Sequence, residues 1–208
     1  MRSIRSQTIP WGAQLVTNAA APIRRDDELV LRVRDSVTQA ALERFAWVAR
    51  LEELWILEAG SGDGDGGRLA VPMTPPLTLI VAAYGHRPTT VSTADAISAA
   101  DGRVLDIGLA PGWGAAVLVL DSELLMRGEG ILGLGSNPAL RGLPGAQVLA
   151  DGRALATTDA YGLAIGASAG PIQDLEVLLP GWSVVAIRRF RGHARTPDGL
   201  GYVLMTRD

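Results

Sequence analysis

The sequence predicts an all-β protein, built as two tandem antiparallel β-sandwiches behind an extended N-terminal arm. Three observations carry this expectation. Turn-formers are frequent, with 25 Gly and 12 Pro in 208 residues, so apolar runs stay short, as strands do and long helices do not. Runs such as Glu28-Leu29-Val30-Leu31-Arg32-Val33-Arg34 alternate apolar and polar residues, the period of a strand with one buried face. Finally, Asp63, Gly66 and Gly85 recur as Asp159, Gly162 and Gly181, each 96 positions later, which points to an internal repeat.

In chain order, residues 1–26 lack apolar periodicity and read as the arm. Residues 27–113 form the first expected sandwich and 114–208 the second, with the boundary between Leu109 and Ala116. The stretch from Val37 to Leu57 is ambiguous. Ala41, Leu42, Phe45, Val48, Leu51 and Leu54 fit helical spacing, but Phe45-Ala46-Trp47-Val48-Ala49 is strand-like and rich in β-formers, so strand is favoured. A Gly-rich tip follows at 60–67, then hairpin parts at 68–73 and 77–83. In the second half, strands are expected at 116–120, 146–150, 153–157, 175–179, 183–190 and 202–206, with a Gly-rich insertion at 127–145. In each copy an Asp-x-x-Gly turn leads into a short strand, a Pro-containing bend, a strongly apolar strand and an aromatic beside Gly. One match breaks this register: Leu109-Ala110-Pro111-Gly112-Trp113 resembles Leu178-Leu179-Pro180-Gly181-Trp182 at an offset of 69, and it reads as a turn type reused elsewhere.

In the second half, Leu143-Pro144-Gly145-Ala146-Gln147-Val148, Asp151-Gly152-Arg153, Thr158-Asp159-Ala160-Tyr161-Gly162, Leu175-Glu176-Val177 and Pro180-Gly181-Trp182 resemble the carboxypeptidase regulatory-like (prealbumin-like, Cna-B-like) β-sandwich module. The first half is similar in Val33-Arg34-Asp35-Ser36-Val37-Thr38 and in Leu79-Ile80-Val81-Ala82-Ala83-Tyr84-Gly85. It departs in lacking Thr before Asp63 and in the inverted Tyr84-Gly85 order. The resemblance spans roughly residues 29–110 and 115–208. It implies non-enzymatic work in adhesion, support or interaction.

Composition narrows the function classes. A net charge of -3 does not suit a protein built to neutralise nucleic acid or an anionic membrane. All 19 basic residues are Arg, whose planar guanidinium favours paired and stacked contacts, and the bias fits a GC-rich bacterial genome. The absence of Cys removes thiolate nucleophiles and Cys-ligated metals. No apolar run reaches the roughly 20 residues of a membrane span, and Pro10, Gln14, Thr17 and Asn18 interrupt the core that a Sec signal needs. Localisation stays open between the cytoplasm and a released particle.

Four local patterns offer chemistry, and each has a plainer reading. Gly166-Ala167-Ser168-Ala169-Gly170 spells G-x-S-x-G, with Asp174 or Asp198 and His193 as nominal partners, but Pro171 and a strand follow Ser168 where a nucleophile elbow needs a helix. Gly128-Glu129-Gly130-Ile131-Leu132-Gly133 spells G-x-G-x-x-G, yet Gly135, Pro138, Gly142 and Pro144 forbid the helix it requires. Asp63 and Asp65 put two carboxylates on a tip that could hold Ca²⁺, but the twelfth position is Thr74 where a Ca²⁺ loop places Glu, so a solvated turn is preferred. His86 and His193 read as ordinary histidines. The interaction surface expected instead comprises Arg188, Arg189, Arg191 and Arg195, with Trp113 and Trp182 at corners. The expected function is a non-enzymatic structural or interaction subunit, without cofactor or metal, in a larger homo- or hetero-oligomeric protein assembly such as a phage-tail-like or contractile-injection-like particle. A carbohydrate- or small-ligand-binding module using Trp113 or Trp182 is the alternative.

Overall fold

The computed structural model describes residues 28–42, 44–62, 67–70, 77–94, 104–123, 139–189 and 199–208. The expected arm, Asp63 and Asp65, most of the 127–145 insertion, and Arg191, His193, Arg195 and Asp198 lie outside them.

The described residues are all-β. The first half supplies β1 (Glu28–Asp35), β2 (Phe45–Leu51), β3 (Leu54–Gly62), β4 (Gly67–Ala70), β5 (Thr78–Ala82), β6 (Thr89–Ser92) and β7 (Val104–Leu109). The second supplies β8 (Trp113–Asp121), β9 (Ala139–Arg141), β10 (Gln147–Ala150), β11 (Arg153–Thr157), β12 (Leu163–Ser168), β13 (Leu175–Leu178), β14 (Trp182–Arg189) and β15 (Leu200–Arg207). The ambiguous stretch resolves as strand: β2 and β3 form a hairpin, turned at Glu52 with φ 53°.

Four sheets result: I (β4-β1-β7), II (β6-β5-β2-β3-β9), III (β12-β8-β15-β14) and IV (β11-β10-β13). Most neighbours are antiparallel, but β1 pairs with β7 and β8 with β15 in parallel, which corrects the wholly antiparallel expectation. A hairpin forces antiparallel neighbours; a strand that returns after the chain has crossed to another sheet is under no such constraint. In both halves it is the first and last strands that meet this way.

The two halves pair their strands in a similar order. With β9 set aside, the order β4-β1-β7 answers to β12-β8-β15, and β5-β2-β3 to β13-β10-β11. The sixth strand differs, since β6 joins β5 in sheet II whereas β14 joins β15 in sheet III. The insertion is not wholly loop, because β9 leaves the second half and pairs with β3 at the edge of sheet II.

Three apolar cores separate the four sheets. Leu29, Leu31, Trp47, Leu79 and Ile107 fill the space between sheets I and II. Val117, Val119, Val148, Val177 and Val203 fill that between III and IV. The remaining core joins the two halves: Val48, Trp55 and Ile80 of sheet II meet Leu118, Leu120 and Tyr202 of sheet III, with Leu140 of β9 among them. The sequence suggested two separate buried layers; counted along the stack from sheet I, the structure has three, and this middle core is the second. Its cause is legible in the strands. Phe45 to Ala49 are buried at every position, as are Ala115 to Leu120, so both pleat faces of β2 and β8 are apolar, as in strands covered on both sides.

Candidate functional site

The most connected set of polar and aromatic groups lies where three strand ends of sheets I to III converge. After β5 the chain turns at Tyr84-Gly85, with Gly85 at φ 74° and the His86 amide donating to the Ala83 carbonyl at 3.1 Å. The second half repeats this corner 96 residues on, with Gly181 at φ 76° and the Trp182 amide donating to the Leu179 carbonyl at 3.1 Å. A glycine suits that left-handed position because a Cβ would be strained there. The competing turn at Pro111-Gly112 links β7 to β8 with Gly112 at φ 132°, a different conformation that explains its odd offset. It is laced to the first corner instead, through Arg87 N to Ala110 O and Gly112 N to Gly85 O, both 2.9 Å.

Asp35, at the end of β1, completes the cluster. Its Oδ1 accepts from the Val37 and Thr38 amides at 2.8 and 2.7 Å, an Asx turn that fixes the loop. Its Oδ2 lies 2.9 Å from His86 Nε2, and His86 Nδ1 lies 3.0 Å from the Tyr84 carbonyl oxygen. The Thr38 amide, then His86, then the Val37 amide hold the Asp35 carboxyl at about 2, below the usual 3.8. Beside them Tyr84 meets Trp113 edge to face, with centroids 4.8 Å apart. Tyr84, His86 and Trp113 wall one side of a cavity of about 40 Å³ whose other walls come from β8, β15 and the Pro171-Ile172 segment. That volume admits a water or a few, well below the roughly 150 Å³ of an enclosed cavity that holds benzene.

A second contact ties the halves. The Thr158-Asp159-Ala160-Tyr161-Gly162 turn joins β11 to β12, as the sequence suggested. The buried Thr158 hydroxyl donates to Leu143 O and accepts from Ala146 N, both at 2.8 Å, and Asp159 Oδ1 accepts from the Tyr161 and Leu163 amides. The Tyr161 ring leaves this turn to lie under the Arg50 guanidinium, 3.5 Å from the ring centroid, while Trp55 Nε1 donates to the Tyr161 carbonyl at 2.6 Å.

The residues singled out from sequence do not form one site. Trp113 is half-buried against Tyr84, and Trp182 is half-buried on the third core beneath Arg207, 5.7 Å from its ring. Trp182 stands opposite Arg207 at the end of β15, whereas Trp113 lies by the start of β15, where Leu200 meets Ala116. About seven strand residues, roughly 20 Å, separate those ends. Arg188 and Arg189 stand opposite Tyr202 and Gly201 on β15. Ser168 ends β12 and donates its hydroxyl to the Gly170 carbonyl at 2.6 Å; residues 171–174, in neither helix nor strand, and then β13 follow it. That geometry is not a nucleophile elbow. It borders an open cleft of about 380 Å³ lined by small residues, Leu155, Asp151 and Arg153, with no aromatic ring. Asp174 gives its amide to Asp151 Oδ1. Among the described residues no three His, Asp or Glu side chains gather at metal-binding distance, and no helix is long and apolar enough to cross a membrane.

Sequence reasoning missed the Asp35–His86 pair and the Arg50–Tyr161 stack. Asp35-Ser36-Val37-Thr38 carries a local Asx-turn signal, but nothing in linear spacing connects it to a histidine 51 residues away. No family model and no curated protein matches this chain.

Proposed function

We propose that this chain is a rigid structural or interaction subunit of a larger protein assembly, built as two sandwiches of the carboxypeptidase regulatory-like kind fused face to face. The observation that carries the reading is the burial of both faces of β2 and β8. It supports a block in which neither half is hinged to the other, four layers deep at about 10 Å per layer. Such a block offers partners its sheet edges, outer faces and end loops. The polar groups of the best-connected cluster are spent on fastening turns, and the cavity beside them, about 40 Å³, has the size of a site for a few waters. A particle assembled from several protein species, of the phage-tail-like or contractile-injection-like kind, is the setting this reading favours.

The competing reading, a module that binds a small ligand or carbohydrate, draws on the cleft beside Ser168, whose volume lies within the range of ligand sites, roughly 300 to 1,000 Å³. The cleft lacks the aromatic platform on which sugars stack, and both tryptophans are engaged elsewhere. Light scattering of the particle isolated from its native source, with identification of co-isolated chains, separates the two. The assembly reading expects a mass several times 21.8 kDa and other proteins in fixed ratio. A lone 21.8 kDa species that binds a glycan and no protein would replace it with the competing one.

A further inference from the structure

The corner after β5 holds an imidazole between two acceptors. His86 Nδ1 faces the Tyr84 carbonyl oxygen at 3.0 Å and Nε2 faces Asp35 Oδ2 at 2.9 Å. A carbonyl and an ionised carboxylate accept but never donate, so both contacts are hydrogen bonds only when the ring carries a proton on each nitrogen. Asp35 does not supply the missing proton at ordinary pH, being held ionised down to about 2 by its amide donors and His86. The side chains are 14% and 13% exposed, so both are largely shielded from bulk solvent.

Among the described residues, the ring nitrogens meet Asp35 at the end of β1 and the Tyr84 carbonyl of the ring's own turn, and the His86 backbone bridges to Pro111 of the β7–β8 turn. Arg87, the next residue, lies over Gly112, its Nε 3.0 Å from where a Cβ there would stand. Tyr84 and His86 are the only titratable side chains lining the cavity among the described residues.

We propose that His86 is a proton-operated clasp: doubly protonated, it fastens the Tyr84–His86 turn to the Asp35 loop, and loss of its Nδ1 proton releases Tyr84 and Trp113 from the cavity mouth. The proton passes to solvent. The Nε2 proton stays because its acceptor is anionic, and charge-assisted hydrogen bonds are the stronger kind. The Tyr84 carbonyl then faces a ring lone pair at hydrogen-bond distance, which is repulsive, so the turn must shift. The shift moves the edge-to-face pair, since Tyr84 precedes the ring by two residues and Trp113 follows the Gly112 that is bonded to Gly85. This inference does not depend on the assembly reading.

Ring nitrogen and aromatic side-chain NMR over a pH titration tests it, with His193→Gln leaving one imidazole in the spectrum. The neutral ring is expected as the Nε2–H tautomer, with Tyr84 and Trp113 signals moving at the same midpoint as His86. Aromatic signals that ignore the His86 titration, or a neutral ring in the Nδ1–H form, would overturn the clasp. Asp35→Asn supplies the second arm. Its carbonyl can keep the Val37 and Thr38 amides while its amide donates to a deprotonated Nε2, so Nδ1–H remains on Tyr84 and the clasp stays shut. In that variant the Tyr84 and Trp113 signals should lose their pH dependence; if they keep it, the clasp is refuted. Should the variant fail to fold, the titration of the unmodified Asp35 protein decides alone.

Discussion

If the middle core couples the halves, a cavity cut into it from one half must loosen the other. Leu118 is the sharpest place to cut, because it is fully buried and belongs to β8, yet faces the core shared with β2 and β5. From sheet III that core takes Leu118, Leu120 and Leu200, at roughly 1.5 to 3 kcal/mol each when fully buried, or about 5 to 9 kcal/mol together as an upper estimate. A domain is stable by only about 5 to 15 kcal/mol, so that contribution decides whether either half persists alone. Leu118→Ala should cost about 3 kcal/mol, within the range for buried leucines. In hydrogen exchange this is roughly a hundredfold loss of protection. The loss should appear in peptides covering β2 and β5 as fully as in those covering β8 and β15. Val117→Ala, one residue along and facing the other core, serves as the control for a cut inside the second half. If Leu118→Ala left β2 and β5 protected at their original level, the halves would be independent beads, and the rigid-block argument would fail.

Four further outcomes follow from the same contacts. Gly142→Ala drives a methyl into the Tyr161 carbonyl where the chain passes Gly162; with backbone on both sides a loss of several kcal/mol is expected as a lower urea midpoint. Thr158→Val leaves the Ala146 amide and Leu143 carbonyl without their buried partner, at a cost of about 1 to 3 kcal/mol in the same assay. Arg50→Met keeps the stem but removes the cation over Tyr161, worth roughly 0.5 to 2 kcal/mol; a double-mutant cycle with Tyr161→Leu should return a coupling of that size, the rest of the loss coming from Trp55, Glu52 O and Thr78 Oγ1. Asp35 titrates lower folded than unfolded, so its contribution is complete above the ordinary carboxyl value of 3.8 and disappears as pH falls toward about 2. The stability advantage of the unmodified protein over Asp35→Asn should therefore shrink as pH falls across that interval.

What the sequence disclosed, and what it hid, follows from the range over which each signal acts. Local signals carried. The Gly85 and Gly181 corners, the Thr158–Gly162 turn and the apolar strands β5 and β13 are specified by residues next to one another, and their faces keep the 96-residue register: Leu79 and Val81 face the first core as Leu175 and Val177 face the third. The second core was present as an absence of alternation. Phe45 to Ala49 and Ala115 to Leu120 are apolar without a period, a pattern that a buried helix segment shares, so it does not say what covers the second face. Parallel pairing of first and last strands has no local signature either. β9 was hidden for a simpler reason, as three residues in a Gly- and Pro-rich stretch gain their strand conformation from the edge of β3. The Asp35–His86 pair depends on two turns meeting, which only the assembled sheets bring about.

The one break in the repeat has a physical explanation in the way the halves stack. The faces in contact are not equivalent: sheet II carries strands two, three and five of its half, whereas sheet III carries strands one, four and seven. The sixth strand is the element free to join either sheet, and in each half it joins the central one, β6 widening sheet II and β14 widening sheet III. With β9 added, the central sheets have five and four strands and the outer sheets three each. The width goes where both faces can be buried. The outer sheets instead show polar residues outward, with Arg32, Arg34 and Asp106 on sheet I and Gln147 and Glu176 on sheet IV all exposed. Polar outer faces end a stack, as capping repeats end a solenoid. Duplication alone does not account for this arrangement, since two equal sandwiches on a string would each keep the sixth strand in the same sheet. The switch of β14 marks the second half as shaped to lie against the first.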